Sequence, residues 1–202
     1  MLIQKSNWSE IIKWYDDFNK NKIEKPKTHW ILDIDETLLD CEDFIGSTKW
    51  FDDSFKRTRN KALVVKKWVE LVPYLKYRLI DSNIENFFNK LKDENAEFTA
   101  VTARHCAAQN YTVNHLKENN LEMIQDIISC GYIPKSRMVL YFIQPHLNSR
   151  KKYIFIDDKK SNVIDMHQRF PNIICIWLNR DKRSKMFDIY SFWKNSHVFS
   201  SK

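Results

Sequence analysis

The sequence predicts an α/β fold in which a mostly parallel central sheet lies between layers of helices. Short apolar runs of strand length alternate with segments in which apolar residues recur at helical spacing. This alternation is typical of βαβ units, whose strands are parallel and whose crossovers are right-handed. One connection is far longer than an ordinary loop and predicts a small helical cap insertion. A chain of 202 residues with 43% hydrophobic content is long enough to form one domain with its own core.

The predicted elements follow one another along the chain from a helix within residues 1–20. Its apolar face contains Trp8, Ile11, Ile12, Tyr15 and Phe18. A Lys-rich linker with Pro26 then leads to the first strand, His29–Ile34. Later apolar runs predict strands at Glu97–Thr102, Tyr153–Ile156 and Ile173–Leu178. Helical periodicity predicts helices at Asn83–Lys92, Ala107–Lys117, Arg137–Leu147 and Ser161–Phe170.

The insertion lies between the first strand and the helix at 83–92. We interpret residues 41–78 as a small, mostly helical cap, because ordinary connections have only about two to six residues. Apolar residues within 62–69 recur at helical spacing, and Pro73 ends that helix. An extra helix packed on the domain explains the same pattern, and the two interpretations are compatible.

The formal charge of +7 comes from scattered basic stretches rather than from one continuous run. They are 20–27, 56–61, 150–152 and 180–185, the last in a basic C-terminal tail at 179–202. Such stretches are most often solvated surface, although a phosphate-bearing substrate or an anionic membrane surface is also compatible with them. We expect no nucleic-acid partner. The chain has only two glycines, which excludes the Gly-rich phosphate loops.

Cysteine spacing and hydropathy indicate the compartment. The four cysteines are far apart without C-x-x-C spacing, so neither a zinc site nor a disulfide framework is indicated, and a reducing compartment fits. The amino terminus lacks the apolar core of a secretory signal, and no stretch approaches the roughly 18 apolar residues that span a bilayer. We expect a soluble, cytoplasmic monomer.

Acidic side chains are crowded where the first predicted strand ends. Asp33, Asp35, Glu36 and Asp40 lie within residues 30–40. Because carboxylates so close together repel one another, a bound cation is the obvious compensation. Alternation along a strand places side chains two residues apart on the same side, so Asp33 and Asp35 are expected to enter one crevice.

A second acidic pair, Asp157 and Asp158, ends the apolar run Y-I-F-I-D-D. Ligands of α/β sheets bind outside the carboxyl ends of the strands, so this pair reaches the same crevice if the two strands are neighbours. Converging carboxylate oxygens are the ligands that hard cations such as Mg²⁺ prefer. The sequence therefore predicts a Mg²⁺ site at this edge of the sheet.

Four stretches, in order, resemble the motifs of the haloacid dehalogenase (HAD) superfamily. They are D-I-D-E-T (33–37), F-T-A-V-T-A-R (98–104), a downstream lysine and F-I-D-D (155–158). The first motif alone is moderately specific, whereas all four in order at strand ends and helix starts are strong. The resemblance covers about residues 28–178. It implies a Rossmann-like three-layer sandwich with a cap, and phosphoryl-transfer chemistry.

The resemblance also implies roles for individual residues. Asp33 is the expected nucleophile, which forms an aspartyl-phosphate, and Asp35 is the expected general acid and base. An aspartate at the second position favours phosphatase over dehalogenase chemistry. Thr102 is expected to bind a phosphoryl oxygen, and a lysine to offset the negative charge. A helix start favours Lys135 for that lysine over Lys151 or Lys152.

Mg²⁺ is expected to be held by Asp33, by the backbone carbonyl of Asp35, and by Asp157, with Asp158 binding directly or through water. Two of the assigned residues have simpler interpretations. Thr102 is also an ordinary strand former, and Asp158 is also a helix cap.

The predicted cap suggests the substrate. A small cap leaves the crevice open to a phosphorylated protein side chain, and Trp50 with Phe51 is an aromatic wall suited to phosphotyrosine, or simply the core of the cap. Arg104 is expected to contact the substrate phosphate or the group next to it. A composition rich in Lys, Asn and Ile is typical of an AT-rich bacterial genome. The stretches G-S-T-K-W-F, T-A-R and I-D-D resemble those of HAD-type phosphatases with phosphotyrosine-protein activity that some intracellular bacteria deliver into host cells, which implies bacterial cytoplasm or host cytosol.

Three hypotheses for the function follow. The first is a Mg²⁺-dependent phosphatase acting on phosphotyrosine in proteins. The second is the same chemistry on a small phosphomonoester such as a nucleotide or sugar phosphate. The third is a catalytically inert module that binds anionic lipid or protein through its basic faces.

Overall fold

The computed structural model describes residues 1–22, 24–148 and 150–180, which form alternating strands and helices. The strands are β1 (Leu2–Lys5), β2 (Thr28–Leu32), β3 (Leu39–Cys41), β4 (Tyr77–Leu79), β5 (Glu97–Thr102), β6 (Asp126–Ser129), β7 (Lys152–Asp157) and β8 (Ile174–Leu178). The α-helices are α1 (Trp8–Asn19), α2 (Thr48–Thr58), α3 (Lys61–Leu71), α4 (Asn83–Asp93), α5 (Gln109–Glu118), α6 (Lys135–Phe142) and α7 (Lys160–Arg169). None of the helices in this part of the chain is long and apolar enough to cross a membrane.

The main sheet has six parallel strands in the order β1-β8-β7-β2-β5-β6. Side-chain alternation along β2 sends Trp30 and Leu32 to one face and Ile31 to the other, where each joins a separate buried cluster. The larger cluster includes residues of α1 and α4, and the smaller cluster includes residues of α6 and α7. The α/β fold with helices on both faces of a parallel sheet is therefore confirmed.

A two-stranded antiparallel sheet, β3–β4, closes the base of the segment that contains α2 and α3. Both cap helices have side-chain N-caps, from Ser47 for α2 and Asn60 for α3. Between them Arg59 adopts a left-handed φ of 50°, which ends α2 and reverses the chain. Trp68 of α3 donates from its indole to the carbonyl of Gly46 at 3.0 Å and so ties α3 to the loop that precedes α2.

Several elements differ from those predicted. The edge strands β1 and β6 and the short β3–β4 pair were not predicted, and β1 pairs with a strand about 170 positions later in the chain. The helix predicted at Arg137–Leu147 instead covers Lys135–Phe142, because Pro145 cannot continue an α-helix, and a single 3₁₀ turn follows at Gln144–His146. Of the basic tail predicted at 179–202, residues 181–202 lie outside the described part of the chain.

Candidate active site

The strand order places three predicted site residues at one edge of the sheet. Strand β2 lies between β7 and β5, so Asp33, which follows β2, is flanked by Asp157 at the end of β7 and by Thr102 at the end of β5. The backbone N–H of Asp33 continues the sheet ladder by donating to the carbonyl of Ile156 at 3.0 Å. The condition for Asp157 to reach the crevice of Asp33, that their two strands are neighbours, is therefore met.

A buried lysine joins the two acidic strand ends. Lys135, the first residue of α6, is 6% exposed, and its Nζ forms ion pairs with Asp33 and, at 2.7 Å, with Asp157. Burial lowers the pKa of Lys135, but the charges of Asp157 and Asp33 outweigh burial and raise the pKa above its ordinary value. The lysine is therefore a fixed positive charge between the two carboxylates, whereas Lys151 pairs with Glu97 at the surface at 2.5 Å.

Three carboxylates form an acidic cluster around this lysine. Asp33, Asp157 and Asp158 each offer an oxygen, and the three oxygens lie within 4.8 Å of one another. When all three carboxylates are ionised, they and the one ammonium together carry two negative charges, which is the charge that one divalent cation balances. An all-oxygen donor set at this spacing fits Mg²⁺ better than it fits a soft metal ion.

The raised pKa of Asp33 also indicates that the cluster is suited to a bound cation. The pKa of Asp33 is raised to about 8, because burial, the largest cause, and the charges of Asp157 and Asp158 together outweigh the lowering effect of Lys135. A nucleophilic carboxylate must be ionised, and a divalent cation beside it favours the ionised form. The electrostatics of the buried cluster are therefore suited to a bound cation.

Hydrogen bonds from surrounding residues fix the carboxylates of Asp33 and Asp157. The Thr37 hydroxyl donates to Asp33 at 3.1 Å and accepts from the backbone N–H of Asp158 at 3.1 Å, so one side chain links two members of the cluster. Asp157 accepts from the backbone N–H of Lys159 at 2.8 Å and from the Asn162 amide at 3.0 and 3.1 Å. The contribution of Asn162 was not predicted; its position at the start of the helix after F-I-D-D was the available signal.

Asp35 has a different partner. Arg104, whose side chain is 1% exposed, donates from Nε at 2.9 Å and from Nη2 at 2.7 Å to the two carboxylate oxygens of Asp35. The third nitrogen, Nη1, lies 3.3 Å from the Thr112 hydroxyl and 3.2 Å from Nδ1 of His115. The guanidinium also lies 4.5 Å from the ring centre of Tyr77. These contacts favour a role in holding Asp35 over the predicted contact with the substrate phosphate.

His115 completes this arrangement as a neutral acceptor. Burial and the charge of Arg104 lower the pKa of His115 to about 4. The imidazole is therefore uncharged at neutral pH, and its Nδ1 accepts from Arg104. Neither His115 nor Tyr77 was predicted to contribute to the site, because only the fold brings them next to the T-A-R stretch.

The crowded acidic residues after the first strand are separated rather than gathered around one ion. Asp33 joins the acidic cluster, and Asp35 pairs with Arg104. Asp40 forms a bidentate pair with Arg180, with both N–O distances at 3.0 Å. The expectation that a single cation compensates all of them is therefore corrected, because basic side chains distant in sequence neutralise two of them.

A cavity of about 440 Å³ opens above Asp33 and Asp35 and extends beneath the cap. Asp33, which is 6% exposed, lies at its floor. Its apolar wall is formed by residues of the cap and of the loop after β6: Phe51, Phe55, Val65, Trp68 and Tyr132. The expectation that Asp33 and Asp35 enter one crevice agrees with this arrangement.

Two predicted site residues lie away from the cavity surface. Trp50 packs against the main core and is absent from the described residues that line the cavity. The aromatic side chains of α2 that do line the cavity are Phe51 and Phe55. Thr102 is fully buried, and its hydroxyl accepts from the backbone N–H of Arg104 at 3.2 Å. Its predicted contact with a phosphoryl oxygen stays a prediction.

Comparisons with known proteins agree with this architecture. The model of a family described as "Protein of unknown function (DUF2608)" matches residues 6–130. A hydrolase of the haloacid dehalogenase-like family from Streptococcus pneumoniae is 14% identical with a TM-score of 0.51, over 71% of this chain and 81% of that one. A protein described as a predicted phosphatase from Clostridium acetobutylicum is 16% identical with a TM-score of 0.54, over 75% of this chain and 84% of that one. A search of curated proteins gave no match. At these identities the similarity is one of fold, and the predicted HAD-like fold is confirmed.

Proposed function

The chain belongs to the DUF2608 family of proteins of unknown function, and we propose that it is a Mg²⁺-dependent phosphomonoester hydrolase that works through an aspartyl-phosphate. One observation carries the proposal. Buried Asp33, Lys135 and Asp157 form an ion-paired cluster with the half-buried Asp158 at the carboxyl ends of adjacent parallel strands, beneath a cavity open to substrate. This arrangement supports the proposal because it brings a carboxylate suited to nucleophilic attack, a fixed ammonium and oxygens suited to a divalent cation into one crevice.

In the first step, an oxygen of Asp33 attacks the phosphorus, the bond from phosphorus to the leaving oxygen breaks, and Asp35 gives a proton to that oxygen. In the second step, Asp35 takes a proton from water as the water attacks the phosphorus. The bond between phosphorus and Asp33 breaks, and inorganic phosphate leaves. Lys135 offsets negative charge on Asp33 and on the phosphoryl group throughout. A Mg²⁺ ion held by Asp33, by the backbone carbonyl of Asp35 and by Asp157, with Asp158 binding directly or through water, would supply the remaining positive charge.

The wall of the cavity supports an aryl phosphate as substrate. Phe51, Phe55 and Trp68 present aromatic surface to the space above Asp33. A phenyl ring bound there gains apolar contact that a sugar or ribose phosphate does not. We therefore propose phosphotyrosine in proteins as the substrate class, with small phosphomonoesters as the second candidate because the cavity volume of about 440 Å³ also accommodates them.

A substrate panel tests the proposal. Purified protein and the Asp33→Asn variant are assayed with p-nitrophenyl phosphate, phosphotyrosine and phosphoserine peptides, nucleotides and sugar phosphates, in Mg²⁺ and in EDTA. We expect hydrolysis that requires Mg²⁺ and Asp33 and that is fastest with aryl phosphates. Inactivity of the folded wild type toward every phosphomonoester would overturn the proposal in favour of a binding module.

A further inference from the structure

The turn between the two cap helices carries the most concentrated positive charge of the cap. Residues 56–61, which we call the cap tip, contain Lys56, Arg57, Arg59 and Lys61, and all four side chains are exposed. Within the described chain, only Lys56 has an ion pair, a 3.7 Å contact with Asp53 in which the lysine side chain is 76% exposed. Exposed pairs of this kind contribute little. The charge of the cap tip is therefore available to a partner.

The cap tip adjoins the mouth of the cavity. Lys61 and Phe55 both line the cavity while remaining exposed, whereas Asp33 at its floor is almost fully buried. Opposite them, Tyr132 is 54% exposed and lies under the Lys61 ammonium, 4.5 Å from it to the ring centre. A ligand whose phosphoryl group reaches Asp33 therefore leaves the cavity directly beside the cap tip.

We propose that the cap tip binds acidic residues that flank the phosphorylated side chain of a protein substrate. This inference rests on the proposed function and extends it, because it assigns sequence preference to a surface outside the catalytic cluster. The remainder of the cap mixes charges, with Asp52, Asp53 and Glu70 among its lysines. The positive charge is thus compact and matches a short acidic segment better than an extended anionic membrane.

Paired peptides test the inference. One phosphotyrosine peptide carries aspartate and glutamate on both sides of the phosphorylated residue, and its partner carries alanine there. We expect kcat/KM of the wild type to be about tenfold higher for the acidic peptide, and this ratio to fall as salt is added. The triple variant Lys56→Gln, Arg57→Gln, Arg59→Asn should bring the ratio close to one.

A matched variant controls for the change in net charge. Lys49→Gln, Lys66→Gln, Lys67→Gln removes three exposed cations from the same two helices outside the cap tip. We expect it to keep the wild-type ratio. Equal kcat/KM for both peptides in the wild type, or an equal loss of the ratio in both triple variants, would overturn the inference.

Two further measurements separate this inference from the proposed function. Binding of both peptides to Asp33→Asn, measured by fluorescence anisotropy, reports the preference even if no phosphomonoester is hydrolysed. Sedimentation with phosphatidylserine vesicles reports the alternative partner. Loss of vesicle binding in the cap-tip variant together with an unchanged peptide preference would assign the surface to a membrane and overturn the inference.

Discussion

Arg104 and Asp35 form a bidentate ion pair beneath the cavity, with N–O distances of 2.9 and 2.7 Å. The pair holds the carboxylate that the proposed mechanism uses for both proton transfers. We therefore expect Arg104→Met to lower kcat by roughly ten- to a hundredfold with little change in KM, because it disturbs the orientation of Asp35.

Arg104→Lys distinguishes positioning from phosphate binding. A lysine keeps the charge but cannot bind both carboxylate oxygens in a fixed plane, so we expect it to recover little of the lost kcat. Steady-state kinetics with p-nitrophenyl phosphate measure both parameters. A large rise in KM at unchanged kcat in either variant would instead assign Arg104 to substrate binding.

Lys135 is expected to be essential, since it is the buried cation between Asp33 and Asp157. Lys135→Met should lower kcat by at least about a hundredfold and destabilise the fold when no divalent cation is present, because two buried carboxylates lose their partner. Lys151→Met is the matched control, because that lysine pairs with Glu97 at the surface. Equal activity of the two variants would contradict the assignment.

Divalent cations should stabilise the fold through the acidic cluster. Binding to the native state alone raises Tm, so Mg²⁺ is expected to increase Tm of the wild type in a concentration-dependent way. Asp157→Asn preserves the shape of the side chain and removes one ligand charge, and it should abolish most of that increase. Differential scanning fluorimetry with and without Mg²⁺ measures the effect. An identical Mg²⁺ titration for the two proteins would exclude Asp157 as a ligand.

His115 makes stability dependent on pH. Its pKa is about 4 in the folded protein and ordinarily 6.5, so between these values the unfolded chain takes up a proton that the folded protein does not. The free energy of unfolding contributed by this group is therefore present above pH 6.5 and is lost as pH falls toward 4. Urea unfolding across that range should give a shallower pH dependence for His115→Gln than for the wild type. Parallel curves would contradict the assignment.

The sequence alone predicts those strands whose own residues form a long apolar run. Long apolar runs such as β2 and β7 identify buried parallel strands, and acidic residues at their ends identify the site. Edge strand β1 has four residues and one face exposed, so it lacks that signal, and its pairing with β8 depends on residues far away in the chain. The same limit applies to β6.

The ion pairs of the site could not be predicted, because their partners are also far apart in the chain. Asp40 and Arg180 are separated by 140 positions, and the sequence offers many basic residues as partners for each carboxylate. Trp50 was predicted as an aromatic contact and Phe55 was not considered, because sequence spacing does not reveal which face of a cap helix packs on the core. Lys135 was identified because its position at a helix start limits where its ammonium can reach.

Capture of a phosphorylated protein intermediate tests the central claim most directly. Wild type and Asp33→Asn are mixed with a ³²P-labelled phosphomonoester in Mg²⁺, quenched in acid during turnover, and treated with hydroxylamine, which cleaves acyl phosphates. The account predicts hydroxylamine-labile label on the wild type, located at Asp33, and none on the variant. A wild type that hydrolyses the substrate without acquiring label, or a variant labelled to the same extent, would contradict it.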